Sequence, residues 1–244
     1  MMNKFTEIPM RTWNWLKVNE AVTTAEIETS EINVSAGETR KIILTSLEAN
    51  ETAKKIHVKV EREARAEVTC VDLSHSNSFC EIIIELDGDN SSCDLFAAYF
   101  ADGERKVDLN YIIRQIGIKT DAVMNVRGAL SGKAEKTFRG TLDFIKGTKG
   151  SVGREREEVI LLSDSVKNKS VPLMLSHEDD VDGHHAVSIG QIDENKLFYL
   201  MSRGLDINEA KRLIVEAAFA PALERIEDND LKEQINSALA AKLN

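Results

Sequence analysis

The sequence predicts a mainly β body followed by a C-terminal α-helical module. Three observations carry that expectation. Residues 30 to 176 hold a succession of short runs rich in β-branched and aromatic residues, separated by Gly, Asp, Asn and Ser. No segment of helical period and helical length interrupts that span, which disfavours alternating βαβ units. After Gly190 the apolar positions fall three and four residues apart, and acidic cap residues precede each stretch.

The opening stretch PMRTWNWLKVNE reads as a separate entry segment within residues 1–29, with Trp13, Trp15 and Leu16 expected to pack it onto the body. The β-rich body, residues 30–190, offers EINVSA (31–36), TRKIILTSL (39–47), KIHVKVE (55–61), EVTCVDL (67–73) and EIIIEL (81–86). It continues with KVDLNYIIRQI (106–116), AVMNVRGAL (122–130), TFRGTLDFI (137–145) and EVILLS (158–163). Alternation is clearest where Ile56, Val58 and Val60 share one face and Lys55, His57 and Lys59 the other. Periodicity leaves a β-sandwich and a β-solenoid equally open.

In residues 191–244, Asp193 is the expected cap of a helix to Arg203, with Gly204 as its left-handed stop. Asp206 and Glu209 have capping-box spacing for a helix over 206–226, with Ala210, Leu213, Ile214 and Ala217 as its apolar stripe and Pro221 as a kink or end. Asp230 with Glu233 repeats the cap signal before a third helix.

Composition excludes several functions. Hydrophobic residues at 42% and charged residues at 30% describe an ordinary folded chain. A net charge of −10 opposes binding to the phosphate backbone of nucleic acid. No stretch approaches the roughly 20 apolar residues of a membrane span, and the N-terminus lacks the apolar core of a secretory signal, so no membrane association and a cytoplasmic location are expected. Cys70, Cys80 and Cys93, an odd number without CxxC spacing, read as reduced, partly buried thiols. There is no GxxxxGK[ST] phosphate loop, so the chain is not expected to bind ATP itself. The basic run KKIHVKVER (54–62) and the run GREREE (153–158) both read as solvated surface.

HEDDVDGHH (177–185) is the densest polar constellation. His177, His184 and His185 with the adjacent acids are ligand types for iron, zinc or manganese. Their spacing matches no defined metal motif, and a solvated turn between the last strand and the helices fits the local pattern better. A metal-dependent enzyme built on this cluster is the weakest of the readings.

Taken together, Pro172-Leu-Met-Leu, Glu178-Asp179-Asp180-Val181, His185-Ala-Val-Ser-Ile-Gly190, Leu197-Phe-Tyr-Leu and Ser202-Arg203-Gly204-Leu205 resemble the SufB/SufD family of iron–sulfur cluster assembly proteins. That family's signature runs D-D-V, then H-G-A-T-V/I-G, then L-F-Y-L-x-S-R-G-I. Upstream, Arg127-Gly, Lys136-Thr-Phe-Arg-Gly140 and Leu161-Leu-Ser-Asp164 are also similar to its core strands, as is the entry segment. The resemblance implies a right-handed parallel β-helix and a non-enzymatic, SufD-like companion subunit. It implies a SufC-type ABC ATPase docked on the C-terminal helices, through Leu197, Phe198, Tyr199, Arg203, Leu213 and Ile214. It further implies a SufB-like subunit or a second copy paired edge to edge, a transient iron–sulfur cluster and acceptor apo-proteins. His185 matches the family's motif histidine and is the implied cluster or iron ligand. Gly183 stands where many SufD-type members carry cysteine, and no cysteine follows Cys93. A self-sufficient homodimeric scaffold, with the ATPase, holding the cluster through His185 and neighbouring carboxylates is the alternative expectation.

Overall fold

The structure, a computed structural model, describes residues 3–9, 11–47 and 50–243, so Met10 of the entry segment and Asn244 of the tail lie outside the described residues. Fourteen strands and three α-helices are described. A short antiparallel pair, β1 (Asn3–Lys4) and β2 (Val22–Thr23), brackets a 3-10 helix at Arg11–Leu16. The body strands are β3 (Glu28–Val34), β4 (Thr39–Ser46), β5 (Thr52–Val60), β6 (Arg65–Asp72), β7 (Ser78–Leu86) and β8 (Ser92–Ala101). Then follow β9 (Lys106–Gln115), β10 (Asp121–Leu130), β11 (Glu135–Phe144), β12 (Ser151–Leu161), β13 (Lys167–Ser176) and β14 (Val181–Gln191). Helices α1 (Glu194–Ser202), α2 (Ile207–Arg225) and α3 (Asn229–Leu243) close the chain.

Odd-numbered body strands stack in one parallel sheet, β3-β5-β7-β9-β11-β13, and even-numbered ones in a second, β4-β6-β8-β10-β12-β14. Each pair of consecutive strands is therefore one turn of a two-faced parallel β-solenoid of about six turns, which decides between sandwich and solenoid. Glu28 pairs with Lys54 and Glu135 with Lys167, so the turn lengthens along the chain. Inward-facing side chains such as Val58, Val68, Ile84, Leu95, Ile113, Met124 and Phe138 fill the space between the sheets.

Both outer faces are covered in the middle turns. On the even sheet Val71, Leu73, Phe96, Ala98, Phe100 and Ala129 form an apolar patch, and α2 and α3 bury it with Val215, Phe219, Ala222, Ile226, Ile235 and Leu239. Charge contacts fix the helices there: Arg225 pairs with Asp94, and Lys242 Nζ lies 2.9 Å from Asp102 Oδ1. On the odd sheet the entry segment does the covering. Phe5 stacks on Phe79 at 6.4 Å, and Thr6 donates through N–H and hydroxyl to the buried Glu81 carboxylate. Trp13 packs with Ile8, Val18, Val171 and Leu173 as expected, but Trp15 and Leu16 are exposed, Trp15 to 92%, because the 3-10 helix turns them away.

The helices begin where their caps predict, with Asp193 accepting from Asn195 N–H and a complete capping box between Asp206 and Glu209. Two expectations are narrowed. The helix expected over 206–226 is seen, and of the two roles given to Pro221 an end is ruled out: it lies inside α2, which runs on to Arg225, because burial of Phe219 and Ala222 on the sheet outweighs the lost backbone bond. The third helix is capped by Asp228, which accepts from Asp230 and Leu231 N–H, and not by Asp230. Among the described residues no helix is long and apolar enough to cross a membrane.

Candidate functional site

The histidine-rich stretch divides into two kinds of structure. Residues 177–180 form the turn, where Gly147 N–H donates to Glu178, and Val181–Gln191 is a full edge strand, not the loop expected. Its register on β12 places His184 beside Arg154, His185 beside Glu155 and Val187 beside Glu157. Parallel partners point the same way, and β12 buries Glu155, Glu157 and Val159. His185 therefore belongs to the inward row with Gly183 and Val187, while Asp182 and His184 form the outward row. There His184 Nε2 lies 2.9 Å from Asp182 Oδ1. His177 stands beyond β13, its N–H donating to Phe144 O. Alternation thus separates the three histidines. Among the described residues no three His, Cys, Asp or Glu side chains converge to hold a metal ion.

Beneath His185 the interior is polar. Lys136 and Glu157 form a fully buried ion pair, and Lys136 Nζ also donates to Ser170 Oγ at 2.9 Å. The run GREREE is accordingly only half surface, because Arg154 and Arg156 face out while Glu155 and Glu157 face in. Glu155 is 3% exposed. Burial, with Glu157 nearby, pushes its carboxyl up to about 8. Burial likewise lowers the Lys136 ammonium to about 8 against the pull of Glu157. Gly140 makes the space for Glu155: a Cβ there would lie 2.0 Å from its Oε1. From about pH 4.5 to 8 the folded chain keeps a Glu155 proton that the unfolded chain has released. Stability should therefore fall as pH rises through that window, by up to roughly 1.4 kcal/mol per pH unit from this group. Urea unfolding at pH 5 and pH 8 should give Glu155→Gln a shallower pH slope than the native chain; equal slopes would refute the assignment.

The cysteines are free. Burial pushes the Cys80 and Cys93 thiols up to about 12 and raises Cys70 as well, so none is a ready thiolate.

The second feature is the outer side of α1 and α2. Phe198 is 75% exposed, and Tyr199, Met201, Ile207 and Leu213 are exposed with it. Arg203 lies over the Tyr199 ring at 5.4 Å. Leu197 and Ile214 are half-buried, each lining a groove between the helices and the last turns, so their main contacts are inward. The expected stripe of α2 is rotated: Ala210, Val215, Phe219 and Ala222 are the buried positions, and Leu213 and Ala217 face out. Sequence reasoning missed Glu155, Glu157, Lys136, Met201 and Ile207. For Glu155 and Glu157 the signal was present, since Gly153, Glu155, Glu157 and Val159 keep strict period two.

A family model described as "SUF system FeS cluster assembly, SufBD core domain" matches residues 17–218. The chain is 26% identical over 182 residues to the iron-sulfur cluster assembly protein SufD of Bacillus subtilis (strain 168), covering 75% of this chain and 42% of that protein. Identity to the protein of the same name from Escherichia coli (strain K12) is 26% over 114 residues, 47% of this chain and 27% of that one. An iron-sulfur cluster assembly SufBD family protein of Mycobacterium tuberculosis (strain CDC 1551 / Oshkosh) is 24% identical over 139 residues, 57% of this chain and 16% of its own length. The chain spans less than half the length of each of these relatives.

Proposed function

The chain belongs to the SufBD core family, and on that premise we propose that it is a non-enzymatic companion subunit of a SufBCD-type iron–sulfur cluster assembly complex. The observation that carries the reading is the apolar outer side of α1 and α2. Phe198, Tyr199, Met201, Ile207 and Leu213 are exposed aromatic and aliphatic side chains on these two helices, the residue types a protein-binding surface presents. The partner assigned to it is a SufC-type ABC ATPase, which supplies the phosphate loop this sequence lacks. Arg203, stacked on Tyr199, places a cation at the rim of that surface.

The exposed edges of β13 and β14 are the assigned contact for a SufB-like subunit or a second copy. An unpaired strand edge offers a row of backbone donors and acceptors to another chain. His185, inward-facing at this edge, is the donor this chain contributes to a nascent cluster before transfer to acceptor apo-proteins. Co-expression with a cognate SufC-type ATPase, followed by size-exclusion chromatography, is expected to yield a stable complex. Separate elution at micromolar concentrations would sink the companion reading.

A further inference from the structure

We propose that the Glu155 carboxylate and the His185 imidazole are two donors to one divalent cation at the open end of the solenoid, and that ferrous iron is the cation they fit. The inference rests on the reading of His185 as a donor and adds a second protein ligand that neither the motif nor the family match supplies.

Among the described residues six charged residues are buried as a whole: Glu81, Arg105, Lys136, Arg139, Glu155 and Glu157. Five have a partner of opposite charge. Lys55 meets Glu81, Asp72 meets Arg105, Asp108 meets Arg139, and Lys136 meets Glu157. Glu155 is the exception, with both carboxylate oxygens buried and no hydrogen-bond partner on either. A buried carboxylate in that condition is costly, and in the folded chain it holds a proton that a bound cation would displace.

Its position says where the cation would enter. Glu155 and His185 are ladder partners on the same face, one strand spacing of roughly 4.8 Å apart. Among the described residues no strand follows β14 in its sheet, so solvent and a partner subunit reach the imidazole directly. The adjacent lining is rich in oxygen. Glu157 Oε2 and Asn168 Oδ1 are also buried without partners, and Asn168 pairs with Lys136 in the opposite ladder. Lys136 is matched by Glu157, so Glu155 is left to a proton or to a bound cation. One oxygen and one imidazole nitrogen form a borderline donor set suited to ferrous iron and its neighbours. Two protein donors leave the remaining coordination positions to solvent or to groups from a partner subunit, consistent with the lack of any three-residue cluster.

The test is anaerobic equilibrium dialysis of the full chain against Fe2+, with bound iron measured per chain. The wild type is expected to bind one ion, and Glu155→Gln and His185→Ala are each expected to weaken binding at least tenfold. Gly140→Ala keeps the acid but intrudes on the space its carboxylate occupies, and it should weaken binding too. Thermal melts accompany each variant; should Glu155→Gln fail to fold, Glu155→Asp, which retracts the carboxylate by one methylene, is read in its place with the same expectation. Wild-type binding in the Glu155 and Gly140 variants, with loss in His185→Ala, overturns the inference and leaves the reading of His185 intact. Wild-type binding in His185→Ala overturns both, and no binding to the wild type overturns the two-donor site.

Discussion

Phe219→Ala is expected to destabilise the chain by about 3–5 kcal/mol, the range for truncating a fully buried phenylalanine. Phe219 is 0% exposed and lies in the cluster that joins α2 and α3 to Val71, Leu73, Phe96 and Phe100 on the even sheet. Removing the ring leaves a cavity between helix and sheet that rigid strands cannot close. Urea unfolding measures the loss. Phe198→Ala, on the opposite side of the helical module and largely exposed, should shift stability by no more than about 0.5 kcal/mol. The shared buried cluster makes the helical module part of the folded body, and the contrast between these two phenylalanines would measure it. Deleting residues 191–244 would uncover the even sheet and confuse lost folding with lost binding, so point variants are the cleaner probes of docking.

Lys136→Met is the second large expectation. It leaves Glu157, itself fully buried, without its cation, and breaking a buried pair from one side costs about 3–5 kcal/mol. Adding Glu157→Gln removes the uncompensated charge, so the double variant should recover most of that loss. Urea unfolding at pH 7 of the wild type, the single variant and the double variant checks this; a double variant as unstable as Lys136→Met would show that packing, not charge, is what Lys136 supplies.

The parts of the fold that were legible in the sequence are those where one face of a strand meets solvent. β5 is the clear case, since Ile56, Val58 and Val60 are buried while Lys59 stays exposed. β8 escaped notice for the opposite reason. Its Leu95, Ala97 and Tyr99 face the interior while Phe96, Ala98 and Phe100 lie under the helices, so no alternation survives. β14 escaped because both of its faces are largely exposed at the end of the stack, and VDGHHAVSIGQ then reads as a turn. The caps at Asp193 and Asp206 were legible because capping is local chemistry. The rotation of the α2 stripe was not, because Leu213 and Val215 are equally apolar and only the position of the sheet distinguishes them. Likewise the motif singled out His185, but its pairing with Glu155 depends on a register 30 residues apart that no local pattern encodes.

The most direct measurement of the central claim is calorimetric titration of a cognate SufC-type ATPase into the wild-type chain and into Phe198→Asp/Leu213→Asp. Both substitutions place a carboxylate on the exposed α1–α2 face without touching the buried cluster beneath it. The account predicts saturable wild-type binding and at least a hundredfold weaker binding in the double variant, with unfolding midpoints unchanged. Equal affinity in the two proteins would contradict the assignment of this face to the ATPase.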